Sequence, residues 1–231
     1  MSEKRVLAVV SSASRYASGR PTGLWIGELT HFWHVLEPRG VAVEVASIAG
    51  GRVPIDPVSE GALGGPHAPS KRFLDDARRA ASLERSVALA DVDLAGFDAL
   101  YFVGGHGAML DFRGAPAVRA AIAAMHARGA LVSAVCHGVA ALLDVDVEGV
   151  PYVRGRTLTG FSNLEERLAL RWSEVPFHLE SDLVQSGARY AKTWVPFASH
   201  IVEDGPLLTG QNPASAAALA QRIGDRLGAR A

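Results

Sequence analysis

Cys136 is the only cysteine of the chain, and its next neighbour is a histidine. A thiol attacks carbonyl carbon as its thiolate, which needs a nearby base or a lowered pKa at neutral pH, so Cys136 and His137 are the first pair to examine. The residues before them, Ala130 to Val135, are small or β-branched and read as a buried strand; Gly138 permits a close turn, and Val139 to Leu143 are good helix formers. This pattern predicts a nucleophile elbow, a strained strand-to-helix corner whose flanking positions, Ala134 and Gly138, must be small. A helix beginning there favours the thiolate. The same residues also fit a buried, inert core cysteine, and the local pattern leaves both readings open.

A second glycine-rich corner, Gly104-Gly105-His106-Gly107, follows an apolar run at Phe97 to Val103. The backbone N–H groups of Gly105 and His137 are candidates for an oxyanion hole, because glycine lets the backbone approach a substrate. His106 competes with His137 as the base for the thiol. Three acids are candidates for a supporting role: Glu28, on an otherwise apolar helix, and Glu165 and Glu166 after Phe161-Ser162-Asn163. Sequence alone does not choose among them. His31, His34, His126, His178 and His200 read as surface or core histidines. His31 and His34 share a helix face but lack a third ligand, so no metal is predicted. The stretch from Gly105 to Leu110 lacks the third glycine of a dinucleotide fingerprint, and no phosphate loop is present, so no cofactor is predicted either.

The elements that must carry these residues alternate. Strands are predicted at Arg5–Val10, Val41–Ile48, Phe97–Val103, Ala130–Val135, Thr157–Phe161 and Pro206–Thr209. Helices are predicted over Gly23–Leu36, Ser70–Ala90, Pro116–Arg128, from Cys136 onward, Glu165–Trp172, Phe177–Gly187 and after Ser215. The Gly- and Pro-rich stretch from Ala49 to Pro69 is long for a loop and reads as a lid or a subunit contact. Strand–helix alternation implies α/β architecture, a mostly parallel central sheet with helices on both faces. In such a sheet the site lies at the carboxyl ends of the strands, where Cys136, the glycine corner and the Ser11–Thr22 loop converge.

Length and composition bound the rest. At 231 residues, with 48% hydrophobic and 20% charged residues, the chain suits one substantial globular domain, residues 1–231. A net charge of −1 without a basic run lacks the footprint of a nucleic-acid binder. A lone cysteine fits a reducing compartment, and neither a signal peptide nor a membrane span is expected, so the cytoplasm is the expected location.

Taken together, the cysteine corner, Val103-Gly104-Gly105-His106-Gly107, Glu28, Thr159-Gly160-Phe161-Ser162-Asn163 and the Thr209–Ser215 segment resemble the ThiJ/PfpI superfamily, with its class I glutamine-amidotransferase-like fold. Within it the similarity is greatest to the branch of glyoxalase III enzymes and heat-shock chaperones. The resemblance implies a flavodoxin-like α/β/α sandwich with a small lid, a homodimer, and no metal or organic cofactor. It implies Cys136 as nucleophile, His137 as its partner, Glu166 as the acid that orients His137 with Glu165 as the fallback, and Glu28 as the acid beside the cysteine. In that branch a proline often follows the histidine of the first helix. Here Phe32 does, and Trp25 and Trp33 add bulk, either at the pocket or in core or dimer packing.

The implied reaction is conversion of methylglyoxal, a small carbonyl substrate, to lactate without glutathione. Three other readings use the same residues differently: a cysteine amidase or peptidase, a stress-induced holdase, and a redox sensor built on Cys136 oxidation.

Overall fold

The computed structural model describes residues 3–60 and 68–229. Its strands are β1 (Lys4–Val10), β2 (Val41–Ser47), β3 (Val87–Ala88), β4 (Ala99–Phe102), β5 (Leu131–Val135), β6 (Asp146–Val147), β7 (Val150–Pro151), β8 (Thr157–Leu158), β9 (Arg189–Tyr190), β10 (Ile201–Asp204) and β11 (Leu207–Gly210). Seven of them form one sheet in the order β10-β11-β5-β4-β1-β2-β3, parallel throughout except for β10 against β11. The expected α/β sandwich with a mostly parallel sheet is thus the observed fold. Every residue of β4 and β5 and the run from Val6 to Val10 in β1 is buried, as central parallel strands covered on both faces must be.

The chain leaves β1 through the Ile26–Leu36 helix toward β2, and leaves β4 through the Pro116–Ala127 helix toward β5, in opposite directions along the sheet. Right-handed crossovers then place these two helices on opposite faces. The Ala216–Arg226 helix packs beside the first of them. Between β1 and β4 the direction of winding reverses, and the crevice at their carboxyl ends is where a ligand site is favoured. The first helix is anchored there from below: Phe32, fully buried, stacks on Tyr101 with ring centroids 3.7 Å apart, and the Tyr101 hydroxyl donates to the Glu28 carbonyl at 3.0 Å.

Several elements differ from the sequence-based expectation. The coil after Cys136 is a 3-10 helix, Cys136–Leu142, and all seven of its residues are buried, so packing overrides the α-helical propensity of Val139 to Leu143. The helix expected over Ser70–Ala90 is two, Ala68–Asp75 and Ala77–Glu84, because the Asp76 side chain accepts from the Arg79 N–H and caps a new start. Val87 and Ala88 then form the sheet edge. The Glu165–Trp172 expectation shortens to Asn163–Leu168, and Leu170 turns left-handed at φ 57°. Phe32 and Trp33 are both buried; Trp33 packs edge-on against Phe73 and under Arg79.

Part of the Ala49–Pro69 stretch, residues 61–67, lies outside the described residues. The part before it is tied to the chain's own elements: Ile55 bridges Leu24, the Val53 N–H donates to Leu83, and the Ser59 hydroxyl accepts from the Ile26 N–H. Among the described residues no helix is long and apolar enough to cross a membrane.

Candidate active site

Cys136 caps β5 with a left-handed backbone, φ 55°, a conformation that costs a non-glycine residue roughly 1–3 kcal/mol and persists only where the surroundings enforce it. The enforcement comes from Gly138. A Cβ there would lie 2.3 Å from the Phe102 carbonyl oxygen, so the coil sits directly on the backbone at the end of β4. Gly138→Ala is therefore expected to lower stability by about 3 kcal/mol, read as a fall in the urea midpoint. An unchanged midpoint would show that the corner yields.

The thiol of Cys136 meets two groups. On one side its Sγ lies 3.3 Å from His137 Nδ1, and His137 Nε2 lies 2.7 Å from Glu166 Oε2. A carboxylate only accepts, so His137 donates from Nε2 and presents the Nδ1 lone pair to the thiol. Phe161 lies against the His137 ring at 4.4 Å. On the other side is Glu28, fully buried, whose Oε2 accepts from the Gly104 N–H at 2.7 Å. Gly104 leaves just enough room: a Cβ on it would lie 2.5 Å from Glu28 Oε2 and 2.9 Å from the Cys136 Cβ. The sequence-nominated Cys136, His137, Glu28 and Glu166 thus meet at one point, and of the two adjacent acids it is Glu166 that reaches His137.

Burial pushes Glu28 up to about 8, although hydrogen bonds with Cys136 and Gly104 oppose the shift. The carboxyl therefore holds a proton near neutral pH. Glu28 Oε1 receives no N–H or O–H donor, which suits a carboxyl that is not ionised. Burial also pushes the Cys136 thiol up, and a charged Glu28 adds to this. The expected lowering by a helix N-terminus is overturned, since the coil is a 3-10 turn in a buried setting and the acid stands against the thiol. One negative charge is accommodated between the two groups, and they titrate as a pair.

A carboxyl whose pKa is higher folded than unfolded binds its proton more tightly in the native state, so stability falls as pH rises from the unfolded value, 4.5, to about 8. Glu28→Gln removes that titration. The melting-temperature difference between Glu28→Gln and the wild type is expected to move in favour of the variant from pH 5 to pH 8. A difference independent of pH would mean that Glu28 does not carry the proton.

Burial opposes ionisation of Glu166 too, but His137 and the imidazole hydrogen bonds outweigh it and hold this carboxyl well below the usual range. The second of those bonds comes from His106, whose Nε2 lies 2.8 Å from Glu166 Oε1. His106 is thus not beside the sulphur, as a competing base would be. Its link to Glu166 has no sequence signal, because the glycine corner and the Asn163–Leu168 helix are about 60 residues apart in the chain. His106, His137 and Glu166 are, among the described residues, the group whose ligand atoms are close enough for a metal, all within 4.8 Å. Those atoms already pair as N–H donors and carboxylate acceptor.

Glu165 has a different task. Fully buried, it accepts from the Ser162 N–H and hydroxyl, the Gln211 and Asn212 amides and the Phe197 N–H, at 2.8–3.0 Å. It closes a capping box on the short helix that carries Glu166 and joins it to the Thr209–Ser215 segment. For the oxyanion hole, the Gly105 N–H has no acceptor among the described residues, and the His137 N–H lies against the Cys136 sulphur. None of these residues lines the cavity of about 780 Å³ whose walls include Trp33, Val43 and Phe73. Cys136 itself is 2% exposed, which suits a small substrate.

A doubly wound α/β fold with a buried cysteine on a strained corner, a histidine–carboxylate relay on one side and a protonated acid on the other defines a class of cysteine-centred enzyme sites. The chain belongs to the DJ-1/PfpI family, whose profile matches residues 27–225. The crystal structure of Rapid Encystment Protein 24 kDa from Francisella tularensis superposes with a TM-score of 0.92 at 36% identity, covering 97% of this chain and 99% of that one. Glyoxalase III from Candida albicans superposes with a TM-score of 0.86 at 25% identity, covering 96% of each chain. A probable glutathione-independent glyoxalase of Schizosaccharomyces pombe is 31% identical over 137 residues, 57% of this chain and 62% of that relative.

Proposed function

We propose that the protein is a glutathione-independent glyoxalase that converts methylglyoxal or a related 2-oxoaldehyde to the 2-hydroxy acid, an intramolecular redox of the lactate-forming lyase type. The observation that carries this reading is the placement of the Cys136 sulphur between the His137 Nδ1 lone pair and the Glu28 carboxyl. Names borne by relatives support it.

The Cys136 thiol gives its proton to His137, and the thiolate adds to the aldehyde carbon. The resulting oxyanion is stabilised by the Gly105 and His137 N–H groups and protonated to a hemithioacetal. The C1 proton of this adduct is then removed and a proton delivered to C2, with His137 and Glu28 as the groups within reach; C1 becomes a thioester carbonyl as the C2 ketone becomes an alcohol. Water cleaves the thioester, releases the acid and restores the thiol. Substrate and water balance the product, so no external oxidant or reductant enters.

The experiment that tests this route is an acid quench during methylglyoxal turnover, followed by peptide mass spectrometry. A lactoyl thioester on Cys136 is expected, since thioesters survive acid. Lactate accumulating with Cys136 unmodified at every quench time would place the chemistry elsewhere.

One observation favours a second, holdase reading. Leu164, Leu168 and Leu170 on one segment and Trp194, Val195 and Phe197 on another are exposed, Trp194 at 99%, and the Phe197 N–H bond to Glu165 joins the two segments. That reading expects aggregation suppression to survive Cys136→Ala and to be lost in Trp194→Ser.

A further inference from the structure

We propose that His106 is a positioning residue of this site: it takes one oxygen of Glu166 so that the other stays on His137. The inference deepens the reading of Cys136 and His137 as the reacting pair and rests on it, but it does not depend on which substrate they take.

Glu166 sits in a helix of only six residues, on a side chain with three rotatable bonds, and a carboxylate bound by a single donor can pivot about that bond. Here both oxygens are engaged, Oε1 by His106 Nε2 at 2.8 Å and Oε2 by His137 Nε2 at 2.7 Å. With two donors on two oxygens the carboxylate plane is fixed. Since the acceptor has no hydrogen to give, both imidazoles carry theirs on Nε2. For His137 this leaves Nδ1 unprotonated toward the sulphur, the form in which it can take the thiol proton.

His106 is suited to this task rather than to catalysis. Its ring lies 4.0 Å from that of His137 with 38° between the planes, and Tyr16 and Phe161 flank it at 5.9 and 6.2 Å. Burial, and then His137, hold it down to about 4, so near neutral pH it is an uncharged donor. The glycine corner is what allows this. His106 projects from the same turn that leaves the Gly105 N–H without an acceptor among the described residues.

Two substitutions separate positioning from packing. In His106→Gln the amide nitrogen occupies the place of Nε2 and can still reach Glu166; in His106→Asn the shorter side chain mimics Nδ1 and cannot. With folding checked by melting temperature, His106→Asn is expected to slow alkylation of Cys136 by iodoacetamide at pH 7 about tenfold, and His106→Gln to stay within about twofold of wild type. If methylglyoxal is turned over, kcat of His106→Asn falls in step with alkylation while KM is unchanged. Alkylation needs no substrate, so a wild type without turnover would overturn the glyoxalase reading and leave this test standing. Equal rates in wild type and His106→Asn, or equal losses in both variants, would overturn the positioning role. So would a wild-type His137 protonated on Nδ1 in long-range proton–nitrogen spectra, which requires no variant.

Discussion

Cys136→Ala is expected to lower lactate formation from methylglyoxal at least about a thousandfold while the protein remains folded. Nothing else in the site can replace the sulphur: Glu28 and His137 flank it but have no nucleophile of comparable strength to offer an aldehyde. The fold should tolerate the change because alanine keeps the Cβ that packs beside Gly104 and leaves the left-handed corner no more strained than before. The paired measurement is kcat/KM with the melting temperature. Activity within tenfold of wild type in a folded variant would remove Cys136 from the mechanism. A collapse in melting temperature would instead make Cys136 a packing residue, the inert-core reading that its sequence context also allows.

Glu165→Gln is expected to cost about 3 kcal/mol, equivalent to a fall of about 6–12 °C in melting temperature for a chain of this length. The carboxylate has no exposed surface and only accepts, and five donors converge on it from Ser162, Phe197, Gln211 and Asn212. An amide supplies one accepting oxygen and turns an NH2 toward donors that then have no partner, so burial penalises each of them. Because Glu165 fixes the helix that carries Glu166, a loss of activity is expected alongside the loss of stability. A melting temperature within about 2 °C of wild type would show that the donors find other acceptors.

The contrast between these two adjacent acids shows where sequence reading stops. Adjacent helix residues point about 100° apart, so one faces the histidines and the other faces Gln211 and Asn212, and the docking of a short helix decides which is which. Nothing local to Glu165-Glu166 contains that information. The elbow was legible because its causes are local: an apolar parallel strand, small flanking residues and a glycine that must touch β4. The mostly parallel sheet and the position of the site at the carboxyl ends of its strands follow from the alternation of strands and helices; the order of the strands was not legible.

What escaped the sequence has equally physical reasons. The two-residue strands β3 and β9 are too short for a period to show. The edge strand β10 has an antiparallel partner and carries Glu203, which pairs with Arg222 and Arg226 of the last helix, so it lacks the apolar run that marked the inner strands. The thiol's surroundings could not be read from a motif because the direction of its shift depends on burial and on how close Glu28 lies. His106 belonged to a recognised glycine corner, yet its partner Glu166 comes from another element altogether.

The most direct test of the account is proton NMR of the purified wild-type protein with methylglyoxal and no glutathione. The account predicts that methylglyoxal disappears and lactate accumulates in equal amount over many turnovers. Methylglyoxal left unconverted, or consumed only to the extent of one covalent modification per chain, would contradict it.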